Sequence, residues 1–279
     1  MKIGVIGGGN MAAAIVDGML QQGSCQADEL LISVNSEASL NNWRAKGVQQ
    51  VQIGASAAFA DADIWLLALK PQMMQTVLQE YQPYFSADKL VISVAAGLTT
   101  DALAYFLTQR DDSILKIIRT MPNTPSLVGE GVIAAYCAAA VTAAERTRFA
   151  AMFKACGRVD FVAEESMLDA VTALSGSGVA YVYLFAEALI EGAIALGYDQ
   201  ATARQHAIQT LKGATQMMAQ SSLPIAQLRA NVTSKKGTTE QALSVFERED
   251  LKAIVVMAMQ AAYERAKELA VELSPHRSS

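Results

Sequence analysis

The sequence predicts an α/β fold, a doubly wound, mostly parallel sheet in the first part of the chain, followed by an all-α domain. Three observations carry this. Short β-branched runs alternate with helix-periodic stretches up to about residue 120, the first run leads directly into a glycine turn, and beyond residue 164 the strand pattern gives way to alanine-rich helical periodicity. Strands that alternate with helices pair in parallel, because each crossover helix returns the chain to the same end of the sheet.

Taken in order, strands are expected at residues 2–6, 30–34, 64–68, 90–94 and 115–119. A weaker strand at 132–135, a helix over 143–156 and a last strand near 159–162 complete the first domain. Residues 175–196, 200–219, 225–230, 239–246 and 250–273 then read as helices. The expected domains are 1–163 and 164–279, with no Pro/Gly/Ser-rich linker between them. The apolar and alanine faces of 175–196 and 250–273 exceed what one small helical domain covers, so a homodimer packed through these helices is expected.

Composition excludes several classes of function. Lys plus Arg number 22 against 27 Asp plus Glu, a net charge of −5, which offers nucleic acid no bulk attraction. With 52% hydrophobic and 18% charged residues the chain has ample material for a core. The longest uninterrupted apolar run, 132–141, is half the roughly 20 residues of a membrane span, and Met1-Lys2-Ile3-Gly4 lacks the order of a signal peptide. The expectation is a cytoplasmic protein with neither nucleic acid nor membrane as partner. Cys25, Cys137 and Cys156 are odd in number and widely spaced, and read as reduced core thiols. The only histidines are His206 and His276, too few for a histidine triad or a multi-histidine metal site, so no metal is expected and the chemistry falls to a cofactor.

Directly after Ile6 stands Gly7-Gly8-Gly9-Asn10-Met11-Ala12, which fits G-x-G-x-x-A at a strand-to-helix turn, the mark of a Rossmann-type domain. Gly7 permits the tight turn, Gly9 lets the backbone approach a pyrophosphate, and Ala12 keeps helix and strand close. The alternative is a glycine turn that binds nothing. At the end of the second strand an acidic residue would select the ribose 2′-OH; here Asn35-Ser36 is neutral and can accept a 2′-phosphate, although Glu37 follows at once and Arg44 lies further along. NADPH is therefore the preferred cofactor, with NADH the alternative. Ala68-Leu69-Lys70-Pro71 and Val94-Ala95-Ala96-Gly97 close two further strands, where small residues leave room for a flat nicotinamide. Lys70 reads either as a group beside the cofactor or as a solvated charge, and Pro71 suits a helix first turn. Residues 169–178 and 232–239 each place hydroxyl and glycine residues before a helical run, either as a nest of N–H groups for an anion or as simple N-caps.

These segments together resemble the Δ1-pyrroline-5-carboxylate reductases, which reduce a cyclic imine to L-proline in the last step of proline biosynthesis. The matching stretches are 6–11, 68–71, 93–97, 121–125 (Met-Pro-Asn-Thr-Pro), 173–178 (Ala-Leu-Ser-Gly-Ser-Gly) and 237–239 (Gly-Thr-Thr), in family order over nearly the whole chain. The resemblance implies that Gly7, Gly8, Gly9, Asn10 and Met11 hold the pyrophosphate, with Ile6 also binding the cofactor, and that Asn35 and Ser36 lie by the adenosine ribose. Ala68, Leu69, Lys70, Pro71, Val94, Ala95 and Ala96 would line the cofactor, and Asn231 would reach it from the helical domain. Glu165, Gly237, Thr238 and Thr239 would surround the substrate, with Thr239 and Ser234 the candidate catalytic residues. It also implies a dimer of intertwined helical domains whose pockets borrow residues from the partner, with dimers assembling into larger rings.

Three positions depart from the family pattern. Val179 stands where the family has proline, Lys235-Lys236 replaces the proline and first glycine of Ser-Pro-Gly-Gly-Thr-Thr, and an asparagine that the family offers to the adenosine near Ala55-Ser56 is missing. The chemistry is compatible with these residues. Reducing a C=N bond needs a hydride donor, a pocket that orients the carbon, and a proton for nitrogen; an imine that enters protonated needs no strong side-chain acid. The substrate carboxylate is the natural handle, with Thr238, Thr239 and their backbone N–H groups as receptor. Two other functions compete. A 3-hydroxyacid dehydrogenase-like oxidoreductase would need Lys212, Lys235 or Lys236 for proton transfer, and a non-catalytic NADPH-sensing protein would need no substrate loop.

Overall fold

The computed structural model describes residues 1–110 and 114–275; His276 lies outside them. The strands are β1 (Ile3–Ile6), β2 (Leu30–Val34), β3 (Gln50–Ile53), β4 (Ile64–Leu67), β5 (Leu90–Ser93), β6 (Lys116–Met121), β7 (Gly131–Cys137) and β8 (Gly157–Phe161). They form one sheet in the order β3-β2-β1-β4-β5-β6-β7-β8. All pairs are parallel except β6 with β7. The chain builds outward from β1 to β3 and then returns to the other side of β1, so the order reverses between β1 and β4. In open α/β sheets that reversal opens the crevice where ligands bind, beyond the strand carboxyl ends.

The helices of this part are α1 (Asn10–Gln22), α2 (Glu37–Ala45), α3 (Pro71–Tyr81), α4 (Thr100–Thr108) and α5 (Ala143–Phe153). β1, β2, β4 and β5 are buried at every position, as strands covered on both faces must be. Alternate side chains sort into two cores. Ile64 and Leu66 of β4 pack with Ile15 and Met19 of α1, whereas Trp65 and Leu67 pack with Met74 and Leu78 of α3. β3 was not among the expected strands. It lies at the sheet edge, where of Gln50-Val51-Gln52-Ile53 only Val51 is fully buried, so its apolar signal is weak.

Then follow α6 (Met167–Val171), a π-helical turn at Thr172–Gly176, α7 (Gly178–Ala195), α8 (Gln200–Gln220), α9 (Ile225–Asn231), α10 (Thr238–Arg248) and α11 (Leu251–Glu272). The chain divides into two compact units, Met1–Gly176 with Ala262–Ser279, and Ser177–Ala261. The division expected at 163/164 follows the change from strands to helices; the compact units divide later because α6 packs on β6 and β7. The end of α11 joins the first unit, with Leu269 and Leu273 against Gly97. A helix was expected from residue 175; the helical run instead spans Met167–Ala195, and by length and composition it could cross a membrane. Counting uninterrupted apolar residues misses this, because Glu187 and Glu191 interrupt the run. In the second unit only Ala203 and Ala207 are buried among the described residues, while Tyr183, Leu184, Val256 and Met257 are each more than 60% exposed.

Candidate functional site

The glycine turn sits where the crevice opens. β1 ends at Ile6, Gly7 adopts φ 104°, and Gly9 is the N-cap of α1 in extended conformation. A Cβ on Gly7 would lie 2.4 Å from the Ala68 carbonyl oxygen, so no other residue fits this approach of β1 to β4. Gly8 is hemmed by Val34 and Trp43, whose indole N–H donates to the Gly8 carbonyl at 3.2 Å. Gly9 faces open space, with nothing within 4 Å of where its Cβ would be. The first helical bond of α1 runs from Ala13 to Gly9, so the N–H groups of Asn10, Met11 and Ala12 have no intrahelical acceptor. No side chain caps this helix start. Open space over a glycine and uncapped donors together fit a pyrophosphate.

A cavity of about 570 Å³ extends from this turn. Gly7, Gly8, Gly9, Ile6 and Asn35 line it, as do Ala68, Leu69 and Lys70 at the end of β4. Ser36 does not line it; its Oγ accepts from Ser39 N at 3.3 Å and caps α2. Ser39 lines it instead, one helical turn on. Pro71 is the first residue of α3, as its fixed φ suits, and Lys70 is that helix's N-cap. Val94, Ala95 and Ala96 stand at the end of β5 next to β4, outside the residues that line this cavity. The sequence reading missed the far half of the cavity, Ile53, Gly54, Met73, Val77 and Glu80. Only the spacing of 73, 77 and 80 on α3 could have pointed there.

Glu165 is tied within the first unit. Its Oε1 accepts from Thr100 N at 2.8 Å and from Arg119 Nη1 at 3.0 Å, and its Oε2 from Thr100 Oγ1 at 2.9 Å. Arg119, on β6, is 4% exposed, and its guanidinium lies 3.6 Å from the Asp169 carboxylate. Burial pushes the Asp169 carboxyl up, with Arg119 opposing. Sequence reasoning missed Arg119, which no motif marks. Burial also pushes the thiols of Cys25 and Cys156 up to about 11, which keeps them protonated and unreactive.

One expectation is overturned. Residues 175–178 form no nest at a helix start, because they lie inside the helical run Met167–Ala195, with Ser177 in helical conformation. The small residues serve packing: a Cβ on Gly176 would lie 2.6 Å from Met121 Cε. The π-turn does have a dedicated partner. Asn123 Nδ2 donates to the Ser175 carbonyl at 3.0 Å while its Oδ1 accepts from Val132 N at 2.9 Å. Ser175 Oγ donates to the Val171 carbonyl at 3.0 Å.

In the second unit the 232–239 segment does end at a helix start. Gly237 is the N-cap of α10, extended and without a side-chain cap, and the first helical bond runs from Gln241 N to Gly237 O. The N–H groups of Thr238, Thr239 and Glu240 are therefore free of helical acceptors, and among the described residues the two threonine hydroxyls carry no hydrogen bond. A Cβ on Gly237 would strike Ser234 Oγ at 2.2 Å, so a side chain at 237 would force the Ser234 hydroxyl to move. Lys236 adopts φ 59°, a left-handed conformation that glycine takes without cost, and its N–H donates to Glu240 Oε2 at 2.7 Å. Asn231 ends α9, its Oδ1 accepting from Gln227 Nε2 at 2.9 Å.

Residues 165–269 match the family model described as pyrroline-5-carboxylate reductase dimerisation, and residues 2–97 match one described as NADP oxidoreductase, coenzyme F420-dependent. A pyrroline-5-carboxylate reductase from Pseudomonas aeruginosa is 36% identical over 272 residues, 98% of either chain. Pyrroline-5-carboxylate reductase 3 from Xenopus laevis is 37% identical over 96% of either chain. Among solved structures, a pyrroline-5-carboxylate reductase from Coxiella burnetii superposes with TM-score 0.87 at 35% identity, covering 96% of this chain and 98% of its own. A pyrroline carboxylate reductase from Plasmodium falciparum with NADP bound does so with TM-score 0.83 at 30% identity, covering 97% and 98%.

Proposed function

The chain belongs to the pyrroline-5-carboxylate reductase family, and from that premise we propose that it reduces 1-pyrroline-5-carboxylate to L-proline with NADPH. The observation that carries this reading is likeness along 98% of the chain to such an enzyme, spanning both the glycine turn and the Gly237-Thr238-Thr239 helix start. When bound, NADPH supplies a hydride to the imine carbon. The chain's own residues bind and orient. Asn10, Met11 and Ala12 offer backbone N–H groups to the pyrophosphate, Lys70 adds a cation at the same end of the cavity, and the neutral Asn35 and Ser39 leave room for a 2′-phosphate. Ala68, Leu69 and Pro71, with Val94, Ala95 and Ala96 at the neighbouring strand end, form the nicotinamide side.

The substrate carboxylate is assigned to the start of α10, held by the N–H groups of Thr238 and Thr239 and by their hydroxyls, with Gly237 leaving room for the Ser234 side chain beside them. Lys235 and Lys236 raise the positive potential there. The imine nitrogen enters protonated; Thr239 and Ser234 are the hydroxyls that position it, and Asn231 is assigned to the cofactor. Glu165 has both oxygens engaged by Thr100 and Arg119, so we assign it those partners as a positioning residue in place of the substrate contact.

The helical unit completes the molecule as a homodimer. Its exposed Tyr183, Leu184, Val256 and Met257 would be covered by the second copy, and larger rings of dimers belong to the same reading. The free cysteines support a reducing, cytoplasmic setting.

The test is NADPH oxidation with pyrroline-5-carboxylate, with a 3-hydroxyacid and NADP+ in reverse, and with no substrate. Turnover only with the imine is expected; turnover of the hydroxyacid, or cofactor binding without any turnover, overturns the reading. Thr239→Val locates the carboxylate. Losing one charge-assisted hydrogen bond should lower kcat/KM for the imine by roughly ten- to a hundredfold and leave the Kd for NADPH within about twofold.

A further inference from the structure

Resting on the assignment of the cavity to a dinucleotide, we propose that Glu80 selects adenine over oxo-purine bases by accepting a hydrogen bond from the exocyclic amine. The cavity has two chemically distinct ends. At one stand the glycine turn and Lys70, with Met73 one helical turn on; at the other, Gly54 at the end of β3 lies beside the last turn of α3, where the Tyr81 hydroxyl meets its carbonyl, and Ile53 and Val77 also line the cavity. Ile53 and Met73 are 48% and 42% exposed in a unit that buries most of its large apolar side chains. Nothing lies within 4 Å of where a Gly54 Cβ would be. Exposed apolar side chains together with open space over a glycine suit a slot for a flat ring.

Met73, Val77 and Glu80 are spaced i, i+4, i+7, so they share one face of α3, and all three line the cavity. At 1.5 Å per residue Glu80 lies roughly 10 Å further along the helix than Met73, beyond the apolar part of the slot. The other polar groups at this end already have partners. The Tyr81 hydroxyl is bonded to Ser33 Oγ and to the Gly54 carbonyl, and that carbonyl also accepts from Gln52 Nε2 at 3.1 Å. Among the described residues the Glu80 carboxylate has no hydrogen-bond or ion-pair partner. Its charge nonetheless reaches the slot floor: burial pushes the Tyr81 phenol up to about 12, the bond to Ser33 opposes this, and Glu80 adds to it. An ionised carboxylate only accepts. The adenine amine donates to it, whereas the oxo group of hypoxanthine sets lone pair against lone pair.

Calorimetric titration of the full chain with NADP+ and with nicotinamide hypoxanthine dinucleotide phosphate tests this without turnover. The wild-type protein should bind the adenine form about tenfold more tightly. Glu80→Ala should bring the ratio below about twofold, mainly by weakening NADP+, and Glu80→Gln should accept both bases comparably, since an amide offers either donor or acceptor. Glu80 is exposed, so both variants should melt with the wild-type protein. Equal wild-type affinities, or a ratio unchanged in Glu80→Ala, would overturn the role of Glu80 and leave the nucleotide site standing. Wild-type protein that bound neither dinucleotide would overturn the nucleotide reading and the role of Glu80 with it.

Discussion

Gly9 and Lys236 carry opposite lessons about single residues. Gly9 touches nothing, so a side chain there costs the fold little and occupies the space assigned to the pyrophosphate. Gly9→Leu should therefore raise the Kd for NADP+ by more than about tenfold, some 1.4 kcal/mol, with the melting temperature nearly unchanged; unaltered binding would remove the nucleotide from this turn. Lys236 sits at φ 59°, where an L side chain is strained. Lys236→Gly should stabilise the protein by up to about 1 kcal/mol in urea unfolding while raising KM for the imine, because the strain and a cation leave together. A destabilised variant would contradict this account of the loop. The glycine turn was legible because its spacing has a mechanism; the strain at Lys236 was not, since a φ angle is set by the whole turn around the Glu240 contact.

At the scale of elements, the buried strands were readable because a strand covered on both faces must be apolar at every position. β3 was not, because an edge strand buries so little. The 173–178 stretch misleads for a physical reason: serine and glycine cap helices, and they also fill a helix interior that must pass close to Met121. What holds the π-turn is Asn123, buried and bonded on both sides. Asn123→Ala leaves the Val132 N–H and the Ser175 carbonyl without their partner, so unfolding free energy should fall by about 2–4 kcal/mol. A loss under about 1 kcal/mol would mean that the turn is held by other contacts.

For the whole molecule, the helical unit is the part that leaves its apolar surface uncovered. Buried residues there are confined to two alanines, and large apolar side chains face outward from α7 and α11. Sedimentation at micromolar concentration should give a dimer or a multiple of it; a fully active monomer would refute the shared helical core. Alternating strands and helices made the α/β class legible, and the scarcity of histidine the reliance on a cofactor. The partners of Glu165 were not, because Thr100 and Arg119 lie 65 and 46 residues away in the chain. Passage of hydride from NADPH to the imine carbon is open to an isotope-transfer experiment. With NADPH deuterated at either face of nicotinamide C4, one labelled form should give L-proline carrying a single deuterium at carbon 5, the other unlabelled L-proline. L-proline free of deuterium from both forms, or cofactor oxidised with no L-proline formed, would contradict it.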